Sequence, residues 1–142
     1  MSRFCREEFT CGPFTDHVVG YWRESLERPE KVLFLRYEDM KADTVTQVKG
    51  LAEFLGFPFT KEEESRGVIE EILRLCSFDS LQSLEVNQPG NYSMPGLENS
   101  LFFRKGQVGD WTNHLSPSKA ERFHNIIEEK LRDSGLMFQL KI

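Results

Sequence analysis

Residues 104–111 read Arg-Lys-Gly-Gln-Val-Gly-Asp-Trp, and the first three combine the chemistry an anion site needs. Arg104 carries a planar fork of N–H donors suited to a phosphate, and Lys105 a mobile point charge. Gly106 lets backbone N–H groups approach an anion with no side chain in the way. By spacing alone a surface turn with two solvated cations is the better account. The order is not the GxxxxGK[ST] of a P-loop, and there is no GxGxxG dinucleotide fingerprint. Gly106 and Gly109 do spell the GxxG of an RNA-binding loop, without the flanking pattern or the basic charge that such domains carry.

The charge pattern agrees with a local site and opposes a general one. The 142 residues carry a net charge of −5, which argues against nucleic-acid or anionic-membrane partners. Residues 1–103 hold eleven basic against eighteen acidic side chains, and residues 104–142 seven against five, so the stretch beginning at Arg104 repels an anion least. Its apolar runs, such as Val32 to Leu35, are far short of the roughly 20 residues of a membrane span. The start, Met1 to Glu8, has no apolar h-region, so no secretory signal is expected. Cys5, Cys11 and Cys76 form no CxxC, which argues against a disulfide framework and a zinc site and for a reducing, cytoplasmic setting. Without a secretory signal, Asn91-Tyr92-Ser93 reads as a chance match to the glycosylation sequon.

The elements that would position the triplet follow from periodicity and punctuation. Phe14, Val18, Trp22 and Leu26 share one face of a helix over Pro13–Glu27. Val32-Leu33-Phe34-Leu35 reads as a strand buried on both faces. After a loop over Tyr37–Ala42, Thr44 with Gln47 looks like a capping box for a helix that buries Val45, Val48, Leu51, Ala52 and Leu55 and stops at Gly56. Thr60 with Glu63 opens a second helical stretch with Val68, Ile69, Ile72, Leu73 and Cys76 on one side. Ser77–Leu84 is a short helix with Phe78 facing inward, and Glu85–Phe103 a long loop without periodicity. Ser116-Pro117 starts a last helix with an inner stripe of Ala120, Phe123, Ile127 and Leu131, ended by Gly135. The tail alternates Leu136, Phe138, Leu140 and Ile142 as an edge strand would. A strand apolar on both faces needs neighbours on both edges, so the sheet's other strands are expected outside this sequence.

Arg-Lys-Gly-x-x-Gly-Asp-Trp resembles the signature of the cytosolic sulfotransferases, which move a sulfuryl group from 3′-phosphoadenosine 5′-phosphosulfate to a small acceptor. Arg28 to Lys41 (Arg-Pro-Glu-Lys-Val-Leu-Phe-Leu-Arg-Tyr-Glu-Asp-Met-Lys), Leu51-Ala52-Glu53-Phe54-Leu55-Gly56 and Leu75-Cys76-Ser77-Phe78 are similar to that family in order and spacing, nearest its plant branch. The resemblance covers nearly the whole chain but only the C-terminal part of the family's domain. It implies an α/β fold: the C-terminal portion, residues 1–142, of one P-loop-like sulfotransferase domain, mostly helices around one buried parallel strand with the sheet incomplete. It also implies that Arg104, Lys105 and Gly106 hold the donor's 3′-phosphate, that Tyr37 and Phe78 contact its adenine, and that Glu85–Phe103 is a cap over the acceptor pocket. Cys76 stands where many relatives have threonine.

The family's donor loop with its catalytic lysine and its general-base histidine precede the matching region, so the resemblance implies no catalytic residue and no metal here. His17, His114 and His124 do not match that histidine. Activity of the chain by itself is therefore not expected. Relatives often carry a dimer segment after the tryptophan; here Thr112, Ser116, Pro117 and Glu121 occupy its positions and only the glutamate is kept, so dimerisation is not expected through it. The implied acceptor is a hydroxyl of a flavonoid, steroid, hormone or glucosinolate precursor, and the product adenosine 3′,5′-bisphosphate. Two other readings stay open from the residues: a non-catalytic nucleotide-binding module, and a helical interaction protein.

Overall fold

A computed structural model describes residues 13–137, dividing the chain into two compact units. One holds the residues up to Phe34 and from Gly109 onward; the other is Leu35–Val108. Each is built mainly of helices.

In the first unit, α1 (Phe14–Glu27) packs on α7 (Pro117–Leu131). The inner stripe of α7 is as the spacing predicts, with Ala120 and Leu131 buried and Phe123 and Ile127 half-buried. Pro117 occupies its first turn, where a missing N–H costs nothing, and Gly135 (φ 71°) turns the chain away after it. The face of α1 differs from expectation. Phe14 and Leu26 are exposed, whereas Thr15 is buried and Trp22 is held edge-on to Phe34 at 5.3 Å. The Trp22 indole N–H donates to the Ser134 carbonyl at 3.0 Å, so the polar end of the ring, as well as its area, fixes the rotation of α1. Leu136 is buried; Phe138, Leu140 and Ile142 of the expected tail strand lie outside the described residues.

The Val32–Leu35 run is not a buried strand here. It is non-helical and joins no strand among the described residues, and Leu33 (38%) and Leu35 (37%) are each more than one-third exposed. An apolar run reports only that a segment can be buried; a ladder also requires a partner backbone. The sheet that does form among the described residues is a two-stranded antiparallel hairpin in the expected long loop, β1 (Tyr92–Met94) with β2 (Leu97–Glu98), paired Tyr92 to Glu98 and Met94 to Leu97. Pro95-Gly96 makes its turn, proline with its fixed φ first and glycine at φ 79° second. Asn99, buried at 5% exposure, pins the hairpin: its Oδ1 accepts from Ser93 N at 2.8 Å and its Nδ2 donates to Val86 O at 2.8 Å.

Four further corrections fall in the second unit. Tyr37–Ala42, expected as loop, is a six-residue helix, α2, with Glu38 and Asp39 in its first turn and Lys41 in its last. The next helix, α3 (Thr44–Phe54), is capped by Asp43, whose carboxylate accepts from Thr46 N at 3.1 Å. Thr44 instead turns back to donate to Met40 O at 2.6 Å. The Thr60–Glu63 stretch splits at Gly67 (φ 75°) into α4 (Lys61–Ser65) and α5 (Val68–Leu75). The Thr60 capping box forms reciprocally. Ile69 of α5 is buried to 2% exposure among the expected stripe, while Cys76 is exposed.

Candidate functional site

The expected anion triplet, the expected aromatic Phe78 and Tyr37 all belong to the Leu35–Val108 unit, and their surroundings follow from α6 (Phe78–Ser83). Ser77 caps α6 by accepting from Ser80 N at 3.2 Å, which puts Phe78 at the first helical position. The Phe78 ring meets the ring of Phe103 edge-on, with centroids 5.6 Å apart and planes at 67°. Such a pair contributes about 0.5–1.5 kcal/mol beyond area burial. One turn further along α6, Gln82 Nε2 donates to the Phe103 carbonyl at 3.2 Å. Phe103 is the residue immediately before Arg104, so the chain enters the triplet with ring and carbonyl both engaged by α6.

It leaves the triplet against the same helix. Gly106 adopts φ 61°, a left-handed conformation that favours glycine, and the Phe78 ring fills the space a side chain would need. A β-carbon on Gly106 would fall 2.5 Å from Phe78 Cδ2 and 3.0 Å from Cε2. Glycine is thus required here on two counts, conformation and packing. Between these two fixed points Arg104 and Lys105 are exposed, the disposition a cation pair needs to receive a ligand from solvent. The structure therefore brings Phe78, Arg104, Lys105 and Gly106 together. Tyr37, the first residue of α2, is half-exposed, and its hydroxyl makes no hydrogen bond among the described residues.

The second half of the motif has a structural task. Gly109 (φ 81°) opens a 3₁₀ turn over Asp110–Asn113, and the buried Asp110 carboxylate accepts from Asn113 Nδ2 at 2.9 Å and faces His114 Nε2 at 3.1 Å. Thr112 Oγ1 donates to Gly109 O at 2.9 Å. His124 Nε2 lies 3.0 Å from Glu128 Oε1, and His17 stands edge-on to Tyr21 at 5.0 Å, so each of the three histidines already has a local partner. Among the described residues no group of three or more His, Cys, Asp or Glu is arranged to hold a metal, and no helix is long and apolar enough to cross a membrane.

Two supports of the triplet, Phe103 and Gln82, escape sequence reasoning, because neither residue type suggests phosphate chemistry. A recess of about 530 Å³ lies along α6, lined by Asp79, Gln82 and Ser83 of the helix and by Asn87, Gln88, Pro89 and Ser100. Four of these residues belong to the Glu85–Phe103 segment expected to cover an acceptor.

Comparison with known proteins adds sequence and fold relatives to this geometry. A family model described as "Sulfotransferase domain" matches residues 1–135. Cytosolic sulfotransferase 15 of Arabidopsis thaliana is 55% identical over 96% of this chain, which spans 38% of that relative. Flavonol 3-sulfotransferase of Flaveria bidentis is 49% identical over 98% of this chain and 46% of its own length. The chain thus spans less than half the length of these curated relatives. The crystal structure of a mouse sulfotransferase complexed with PAP superposes with a TM-score of 0.74 at 30% identity, over 93% of this chain and 45% of that one. Retinol dehydratase, at 22% identity and a TM-score of 0.74, shares the fold.

Proposed function

This chain belongs to the sulfotransferase family, and on that premise we propose that it forms the nucleotide end of a donor site for 3′-phosphoadenosine 5′-phosphosulfate. Arg104 and Lys105, with the backbone N–H groups around Gly106, hold the 3′-phosphate. Phe78 and Tyr37 lie along the adenine. The observation that carries the reading is the grip of Phe78 and Phe103 on the 103–106 stretch, which sets an aromatic surface beside an exposed cation pair. A purine nucleotide with a ribose phosphate presents that same pair of features, one flat and apolar and one anionic.

In the proposed reaction an acceptor hydroxyl oxygen bonds to the donor's sulfur as the sulfur's bond to the bridging phosphate oxygen breaks. The hydroxyl proton passes to a base, and adenosine 3′,5′-bisphosphate departs. The relatives named flavonol sulfotransferases make a flavonol the first acceptor to try, with steroids, hormones and glucosinolate precursors in the same chemical class. The Glu85–Phe103 segment, with its Asn99-pinned hairpin, is the proposed cover of that acceptor.

The chain's own part in this reaction is binding. It is the C-terminal portion of the domain in this reading, and the base and the groups that stabilise the leaving phosphate come from the portion that precedes it in the longer relatives. The cytoplasm is the proposed setting, as the names of the cytosolic relatives suggest. No dimer contact is assigned to residues 112–121, where Pro117 begins α7.

Incubation of the chain with sulfur-labelled donor and a flavonol separates the two parts of this reading. Retention of label by the protein with no labelled flavonol is the expected result. No retention would remove the donor site, and labelled flavonol would show that the chain carries its own catalytic groups.

A further inference from the structure

Phe78 touches the anion triplet from outside it, and its contacts bracket the two cations. Its ring meets Phe103 on one side of the pair and occupies the β-carbon space of Gly106 on the other. Gln82, from the next turn of the same helix, holds the Phe103 carbonyl at 3.2 Å. The backbone from 103 to 106 is therefore pinned at both ends to α6, and the side chains of Arg104 and Lys105 spring from the span between the pins.

We propose that Phe78 is a positioning residue for 3′-phosphate recognition: its ring fixes the Arg104–Lys105 span, so that preference for a 3′-phosphorylated nucleotide depends on an aromatic side chain that need not touch the phosphate. A phosphate oxygen is bound well only when its donors converge on it, and convergence is lost when the backbone that carries them can move. With leucine at 78 the edge-on ring pair disappears and the Gly106 β-space opens, so the span keeps the Gln82 hydrogen bond at Phe103 but loses its restraint at Gly106. The inference rests on the donor-site reading and goes past it, since an aromatic that served only the base would leave phosphate preference untouched.

The test compares adenosine 3′,5′-bisphosphate with adenosine 5′-monophosphate, which keeps the base but lacks the 3′-phosphate, on the native chain, Phe78→Leu and Phe78→Tyr. The native chain favours the bisphosphate by roughly 10- to 100-fold, the range expected for charge-assisted hydrogen bonds. In Phe78→Leu that ratio falls to within about threefold of unity, and in Phe78→Tyr, which retains the ring, it is kept. Equal weakening of both nucleotides, with the ratio intact, overturns the proposal and leaves Phe78 as a contact for the base alone. If the native chain binds neither nucleotide, the donor-site reading fails and the positioning role is decided without ligand. Amide hydrogen exchange at Arg104, Lys105 and Gly106 then speeds in Phe78→Leu, and not in Phe78→Tyr, if the ring sets the span. Exchange at Arg104 and Lys105 unchanged in Phe78→Leu overturns the proposal.

Discussion

The ring of Phe78 stands where a side chain on Gly106 would have to grow, 2.5 Å from the place of its β-carbon. Because Phe78 is also braced by Phe103, the ring cannot simply swing aside. Gly106→Ala must therefore displace either the ring or the backbone of the triplet. The substitution is expected to destabilise the Leu35–Val108 unit by about 1–3 kcal/mol, from the left-handed φ and the overlap together. It should also weaken adenosine 3′,5′-bisphosphate by more than roughly tenfold. Thermal unfolding and calorimetric titration of the same preparation measure the two effects.

The hairpin over the proposed acceptor depends on one amide. Asn99 is buried and engages Ser93 N and Val86 O at 2.8 Å each. Asn99→Ala removes both hydrogen bonds and is expected to cost about 1–3 kcal/mol. Asn99→Asp keeps the acceptor for Ser93 N but sets a carboxylate against the Val86 carbonyl. Limited proteolysis should cut near residues 86–96 faster in both variants than in the native chain, with the 109–137 region unaffected.

The core of the Leu35–Val108 unit is centred on Ile69, 2% exposed. Ile69→Ala removes buried methyl groups, and about 2–5 kcal/mol of destabilisation is expected. Denaturant titration measures it. Cys76, placed by periodicity on the same stripe, is exposed, so Cys76→Ser should change stability by less than about 0.5 kcal/mol.

A pH dependence follows from the Thr60 capping box. Hydrogen bonds from the Thr60 backbone N–H and hydroxyl, both at 2.8 Å, hold the Glu63 carboxyl below the usual glutamate range. A depressed carboxyl contributes stability that is present above its unfolded value and is lost as pH falls through the folded value. The native chain should thus lose the cap's contribution on acidification below the ordinary glutamate range, and Glu63→Gln should flatten that part of the stability profile. A carboxyl titration by NMR in which Glu63 protonates with, or above, an exposed glutamate would contradict the assignment.

How far the sequence could be read depended on whether a feature was local and repeated. The α7 stripe of Ala120, Phe123, Ile127 and Leu131 repeats over several turns, and its burial matched. Tyr37–Ala42 is under two turns, too short for periodicity to mark a helix, and the cap expected at Thr44 falls one residue earlier, at Asp43, whose side chain accepts from Thr46 N. The hairpin turn at Pro95-Gly96 lies in the segment expected as a loop, since a chain breaker becomes a hairpin only when the flanks pair, and that register is a tertiary fact. Val32–Leu35 has the composition of a strand buried on both faces, but a ladder and burial need neighbours, expected outside this sequence, and among the described residues the run is unpaired and partly exposed. For the site, the types of Arg104, Lys105 and Gly106 offer anion chemistry, but their spacing alone favours a surface turn, and the 3′-phosphate role comes from the family resemblance. The packing of Phe78 on Gly106 and the support of Gln82 for Phe103 join residues far apart in sequence, and no spacing rule announces them.

The central claim is a 3′-phosphate site at Arg104, Lys105 and Gly106. Calorimetric titration of the native chain and of Arg104→Ala with adenosine 3′,5′-bisphosphate, each at two salt concentrations, tests it most directly. The native chain should bind with measurable heat and more weakly at the higher salt, and Arg104→Ala should bind roughly 10- to 100-fold more weakly with a reduced salt dependence. No heat with the native chain, or the same affinity in Arg104→Ala, would contradict it.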